Sequence, residues 1–408
     1  MLVIKKRSNN LFIYIFIILL AVSPAFALGD GNRNLLLIGA MYVAPIFFLF
    51  YPEVHIRTDI PLLSLCLMMI IFPLLFHPET LRWSTVLYSC LFCAFFMVFV
   101  RVLYHSRFSV VDFMSILKWL LYAYCVVLLI QQFCVLVGLP IFNVSSYNPL
   151  EPWKLNSLMS EPSHSARVIP ILMYMFISLK MKFFGENTLI ESFKKNKWVW
   201  ISFFWSTLTM GSATALIFML IVFAKFINIR KLLPTLLCVI VLVFAFVLFS
   251  ENKSVDRVRR VVSAVITLDE DSIIQADHSA SFRIVPTIQG AKQVGISTNN
   301  DWFGYGIDAD QDMIEPLPSA VKGGAGAFYL WINFGLIVAF TFWIFTFRIC
   351  YLKSDQVSIL IWFLGIFIYG GLNMQIIWLV LILMYVYKKL SNNKYINHNY
   401  ENHSYCSW

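Results

Sequence analysis

Residues 83–104 read WSTVLYSCLFCAFFMVFVRVLY, and residues 113–138 read FMSILKWLLYAYCVVLLIQQFCVLVG. At 1.5 Å of rise per residue each run is long enough to cross a hydrocarbon core of about 30 Å. Both are apolar along their length and do not alternate, so they read as helices and not as strands of a membrane barrel. Further apolar runs at 11–28, 34–51, 60–76, 167–184, 198–210, 213–229, 232–250, 325–347, 356–371 and 373–387 bring the expected number of spans to twelve. The whole chain, 1–408, therefore reads as a single all-α polytopic membrane domain. Its composition agrees: 60% of residues are hydrophobic, 17% aromatic and 13% charged, with a mean hydropathy of +0.76. A soluble domain carries about 25% charged residues.

Lysine and arginine positions predict the orientation. Lys5, Lys6 and Arg7 precede the first span, and Arg101 and Arg107 follow the fourth. Lys180, Lys182, Lys194, Lys195 and Lys197 follow the sixth, with Lys225, Arg230 and Lys231 after the eighth. Arg348 and Lys353 follow the tenth, and Lys388 and Lys389 the twelfth. All fall on one side, expected to be the cytoplasm, together with both termini. This pattern accounts for the net charge of +9, so the charge gives no reason to expect nucleic acid as a partner. The stretch KKRSNNLFIYIFIILLAVSPAFA resembles a secretory signal peptide. Its long apolar core and the spans that follow favour an uncleaved first span.

Two connections on the opposite, outer side are long, about 139–165 and 251–324. The second holds seven Lys/Arg against eleven Asp/Glu, and a connection of this length usually carries function. Neither contains cysteine, so an oxidising compartment has nothing to crosslink there. Cys90 and Cys93 lie within an apolar helix and read as packing residues. The DADQD turn at 308–312 reads as a solvated acidic turn, and no metal or cofactor is expected.

Polar residues gather where the spans meet the outer side. In LNSLMSEPSHSARVIPILMYMF, Pro162 after Glu161 predicts an extended or turn entry and a helix that begins around Ser163 to Arg167, on which His164 and Arg167 share a face. In TMGSATALIFML, two short spans meet at Gly211 and Ser212, where Ser212 or Thr214 caps the second helix and aims its positive end at an anion. IYGGLNMQII at 368–377 has the same character, with Asn373 and Gln375 as polar linings. In the large loop, VDRVRRVVSAVI predicts an amphipathic helix with Val255, Val258, Val262, Val265 and Ile266 on one face. DHSASFRIVPTIQGAKQVG predicts another, opened by Arg283 after Ser279 and Ser281. Gly304, Tyr305 and Gly306 predict a tight turn that a ligand can approach closely, and Lys322 precedes re-entry at GGAGAFYLWINFGL.

The order SEPSxSAR, GSATAL, DxSASxR, GYG, GGAGAFYLWINFGL resembles the bacterial Wzy-type polysaccharide polymerases, which join repeat units of O-antigen, capsule or exopolysaccharide and are related to O-antigen ligases. The resemblance runs from about Leu155 to Leu336. It implies a metal-independent glycosyltransferase of GT-C type in the bacterial inner membrane, with its active site facing the periplasm. It further implies an undecaprenyl-diphosphate-linked glycan as donor and another as acceptor, and a chain-length regulator protein as a possible partner. The spacing from Arg283 to Gly295 is one residue longer than the R-x10-G pattern of some polymerases. Residues 279–324 contain no histidine where the ligases carry one, which favours polymerase over ligase.

The chemistry implied by that resemblance suits the residues. A departing diphosphate gathers negative charge, and guanidinium groups are the natural metal-free stabilisers. Arg167 and Arg283 are the expected pair. A base is needed for the acceptor hydroxyl; Glu161 is the first candidate and His278 the second, with His164 in support. Ser212, Thr214, Gly304, Tyr305, Gly306 and Lys322 are expected to bind glycan or phosphate. A lipid-linked oligosaccharide flippase or another transporter is the alternative from a different class. It would be expected to carry internal repeats and charge-rich spans and to need no large outer loop, and the sequence shows neither a repeat nor a charge-rich span.

Overall fold

The computed structural model describes residues 9–23, 34–144, 149, 152–210, 212–226, 263, 267, 270–276, 278–314 and 325–392. Every regular element among these residues is helical. In chain order they are α1 (Asn9–Ala21), α2 (Leu35–Val43), α3 (Ile56–Phe76), α4 (Trp83–His105), α5 (Val110–Val137), α6 (Pro162–Phe184), α7 (Leu189–Lys195), α8 (Lys197–Thr209) and α9 (Ala213–Ala224). They continue with α10 (Glu270–Ala276), α11 (His278–Gln293), α12 (Leu336–Cys350), α13 (Val357–Trp362) and α14 (Gln375–Asn392), with shorter turns of helix between.

Three of these, α3, α4 and α5, are long and apolar enough by themselves to cross a membrane. The pair α6 and α7 passes only when taken together, and the two are bent by 98°. Twelve unbroken spans are therefore not what the described residues form, and the breaks have local causes. The expected span 34–51 is a shorter apolar helical run, Leu35–Phe50, which tightens to 3-10 at Ala44–Ile46, where Pro45 lacks the amide that α-helix would need. The expected span 325–347 is divided at Gly335, whose φ of +89° ends the helix Tyr329–Phe334. The span 356–371 passes into a π-helix, Phe363–Phe367, and stops before Gly370 at φ +56°. The expected span 232–250, the end of 213–229 and nearly all of the amphipathic stretch 255–266 lie outside the described residues.

Termini of the long helices follow from their sequences. Ser109 and Asp112 form a reciprocal capping box at the start of α5. Gly138 and Gly185, both left-handed, donate their amides to the last carbonyls of α5 and α6.

The centre of the bundle is α4, α6 and α14. From Ser165 to Leu179 every residue of α6 is buried, and so is the run Ile376–Met384 of α14. Phe92 of α4 stacks on Trp378 of α14 with ring centroids 5.7 Å apart. By contrast α3 and α5 turn Leu63, Leu67, Trp119, Phe133 and Leu136 outward. An apolar surface this extensive suits lipid and not water, so the fold is that of a membrane protein.

Contacts between connections fall into two groups at opposite helix ends. At one end Ser23 bonds Leu158, His77 Nε2 lies 2.8 Å from the Gly304 carbonyl, and Arg82 pairs with Asp308 at 2.5 Å. At the other, His105 meets Glu53 at 3.0 Å, Lys389 donates to Leu103 and Lys182 to Ser391. The lysine pattern assigns these same groups to opposite sides. Near the lysine-bearing end, Arg101 of α4 forks onto Asp59 of α3 at 2.7 and 3.2 Å, with both residues buried.

Candidate functional site

The first turn of α6 carries the Glu161–Arg167 cluster. Glu161 is the extended N-cap residue, with φ −134° and ψ 147°, and Pro162 opens the helix, one residue ahead of the expected start around Ser163 to Arg167. Pro162 disfavours helical backbone at Glu161, which sets the entry angle. The Glu161 side chain does not cap the helix. It receives the Ser163 hydroxyl at 3.3 Å and approaches His164 Nε2 at 3.9 Å, and half of it remains exposed. His164 also lies 3.5 Å from the Ser160 hydroxyl through Nδ1. A carboxylate and an imidazole thus stand side by side at an accessible helix end.

Arg167, one turn further on, is 4% exposed. Its Nε donates to the Ser163 carbonyl at 3.1 Å, and its guanidinium carbon lies 3.9 Å from the centre of the Tyr369 ring. Stacking on an aromatic face holds a guanidinium in one orientation while leaving its edge for oxygen acceptors. In IYGGLNMQII the amides of Asn373 and Gln375 are the expected polar linings, but the Tyr369 ring beside the glycine pair is the group that meets Arg167. Gln375 instead donates to the Leu19, Leu20 and Val22 carbonyls, tying off the end of α1.

The segment before Glu161 is held by a buried amide network also missed in the sequence. Asn156 donates to the carbonyls of Asn143, Met159 and Ser160. Gln131 of α5 bonds Phe142 and both the side chain of Asn156 and the backbone of Ser157. Ser165 closes the ring by donating to the Asn156 carbonyl. These bonds satisfy the backbone of an irregular loop within the bundle and fix where Glu161 begins the helix.

A chain of close backbone approaches leads from Tyr369 to the large loop. Any side chain at Gly370 would overlap the Gly326 carbonyl oxygen, and Ala327 O would lie 3.0 Å from its Cβ. A side chain at Gly326 would in turn overlap the Thr287 hydroxyl of α11. Position 283 falls one turn before Thr287 along α11, so the helix bearing Arg283 reaches the same turn pair that carries Tyr369. Arg283 does not open that helix, which begins at His278 and includes Ser279 and Ser281. The side chains of His278 and Arg283, and all of Lys322, lie outside the described residues.

The turn at Gly304–Gly306 approaches the chain itself. A Cβ on Gly304 would lie 2.7 Å from Asn333 O, and one on Gly306 would lie 2.6 Å from the Thr80 hydroxyl. The space expected for a ligand is filled by the re-entry segment and the α3–α4 connection. Tyr305 donates to Asp301 at 2.5 Å. Asp301 also accepts from the amides of Gly295, Ser297 and Thr298, and its carboxyl is pulled down to about 2, first by the Tyr305 hydroxyl and then by Thr298 and Gly295. Asp310 receives Asn333 Nδ2 at 2.8 Å, and burial raises its pKa. Asp301 thus ties residues 295–305 together, while Asp308 and Asp310 anchor the loop to Arg82 at the start of α4 and to Asn333 of the re-entry segment.

Ser212 is the N-cap residue of α9, but its side chain makes no capping bond. Thr214 is buried two residues on, and α9 packs along α6. Neither a protein-family model nor a curated protein sequence matches the chain.

Proposed function

We propose that this chain is a Wzy-type polymerase that joins undecaprenyl-diphosphate-linked oligosaccharide repeat units at the periplasmic face of a bacterial inner membrane. The observation that carries the reading is the buried Arg167 guanidinium, stacked on Tyr369 beside the exposed Glu161–His164 pair. It lies at the helix end opposite the lysines, where α11, the helix that bears position 283, meets the same turns through Thr287.

In this reading Arg167 and Arg283 receive the diphosphate of the donor lipid. Glu161 takes the proton of the acceptor sugar hydroxyl, and His164 orients that carboxylate. The hydroxyl oxygen forms a bond to the anomeric carbon of the growing chain as the bond to the diphosphate breaks. The bonding electrons leave with undecaprenyl diphosphate, whose charge the two guanidiniums stabilise. No nucleotide sugar and no metal is invoked.

The test is genetic. A host deleted for the gene is complemented with wild type, Arg167→Ala or Arg283→Ala, and its surface glycan is resolved by length. Loss of a polymerase leaves one repeat unit on the lipid anchor, whereas loss of a flippase removes that as well. Full-length ladders from both alanine variants would rule out the assigned site.

A further inference from the structure

The opposite end of the bundle carries a second feature, independent of the sugar-transfer reading. A cleft of about 490 Å³ opens where α6 and α14 end beside the α12–α13 connection, and it is lined by Lys182, Lys353, Lys388, Tyr351 and Tyr387. Its size falls within the range of about 300–1,000 Å³ typical of small-molecule sites. The three lysines come from three separate segments of the chain.

Their surroundings differ from those of the lysines that are paired with acids. Lys180 pairs with Glu186, Lys195 with Glu191 and Lys225 with Asp355. Lys182 and Lys388 instead donate to backbone carbonyls, Lys182 to Ser391 at 3.2 Å and Lys388 to Arg348 at 2.6 Å and Tyr351 at 3.2 Å. Among the described residues none of the three cleft lysines has a carboxylate within 4.0 Å. Asp355, the nearest acid along the chain from Lys353, is engaged by Tyr174, Lys225 and the Val357 amide. Carbonyls therefore hold two ammonium groups at the wall of a cleft while leaving N–H donors over, since each ammonium has three.

Three like charges converging on one cleft repel one another unless an anion joins them. We propose that the cleft binds a phosphate-bearing anion. Its place at the helix ends, on the side the lysines mark as cytoplasmic, favours the phosphodiester headgroup of an anionic membrane lipid as the source, because basic pockets between spans at that surface hold such headgroups. Tyr351 and Tyr387 supply the amphipathic rings suited to headgroup depth.

The test uses the full chain purified in detergent, with lipid binding followed by native mass spectrometry. Phosphatidylglycerol, phosphatidylcholine and inorganic phosphate are the probes. The variants are the triple Lys182→Gln/Lys353→Gln/Lys388→Gln, its arginine counterpart, and Lys195→Gln as a control away from the cleft. The expected result is retention of phosphatidylglycerol in preference to phosphatidylcholine, weakened about fivefold per lysine removed. Binding should persist in the arginine variant and in Lys195→Gln, and fall as salt rises. Displacement of the lipid by millimolar phosphate would assign the site to a free anion and keep its chemistry. Wild-type retention of both phosphatidylglycerol and phosphate by the triple glutamine variant would overturn the proposal, as would equal binding of phosphatidylcholine. Single Lys→Gln variants carry the same comparison where the triple variant does not fold.

Discussion

Replacing Tyr369 by leucine tests whether the ring positions Arg167. The guanidinium carbon lies 3.9 Å from the ring centroid, and the arginine is almost wholly shielded from solvent. A desolvated cation–π contact contributes about 2 kcal/mol. If that energy holds the guanidinium where diphosphate charge develops, its loss lowers the turnover rate about 30-fold. Tyr369→Phe keeps the face and should stay within about threefold of wild type. Arg167→Ala removes the charge itself and should cost about 10²–10³ in rate. Arg167→Lys keeps charge without the planar fork and should fall between these limits. The assay is the initial rate of chain growth in membrane vesicles supplied with lipid-linked repeat units, with kcat and KM separated. A positioning role predicts that Tyr369→Leu lowers kcat with little change in KM. Wild-type kcat in Tyr369→Leu, alongside an inactive Arg167→Ala, would refute the positioning argument.

Arg101→Met strands the buried Asp59 carboxylate and should cost about 3–5 kcal/mol. Adding Asp59→Leu should recover most of that loss in thermal unfolding of the detergent-solubilised protein. Gly370→Ala places a Cβ against the Gly326 carbonyl at φ +56° and should shorten the glycan ladder; Gly39→Ala, with nothing within 4 Å of its Cβ, should be neutral or stabilising by about 0.5–1 kcal/mol. Asp301 has a folded pKa near 2, below the unfolded value of about 3.9, so its contribution is present above about pH 4 and fades as pH falls toward 2. Proteolysis of the 295–305 segment should rise across that window in wild type, whereas Asp301→Asn should be cleaved readily at neutral pH and show a flatter dependence. Glu161→Gln should lower the rate by about 10²–10⁴ if the carboxylate is the base, and a wild-type rate would remove it from that role.

Helix type and the grouping of connections at two ends were legible because apolar runs and lysine placement act locally along the chain. Helix continuity was not. Composition carries no mark of where a neighbour's backbone will press on a glycine, and the glycines at the breaks, Gly335 and Gly370, lie against the backbone of Trp302 and Gly326, both distant in sequence. The helix start at Pro162 was legible from Glu161-Pro162 itself. The burial of Arg167 was not, since it depends on Tyr369, about two hundred residues later. Gly304 and Gly306 take the positive φ that glycine allows, on either side of a bend at Tyr305, yet what occupies the space beside them is the chain itself. Gln131 and Asn156 carry no motif, and only a packed loop shows why buried amides are needed there.

The most direct measurement of the central claim is chain growth by the purified protein in liposomes supplied with lipid-linked repeat units extracted from its own host. The account predicts products lengthened by whole repeat units with undecaprenyl diphosphate released, no requirement for a nucleotide sugar, and loss of this activity in Arg167→Ala and Arg283→Ala. Movement of intact lipid-linked units across the bilayer without growth, or undiminished growth in both arginine variants, would contradict it.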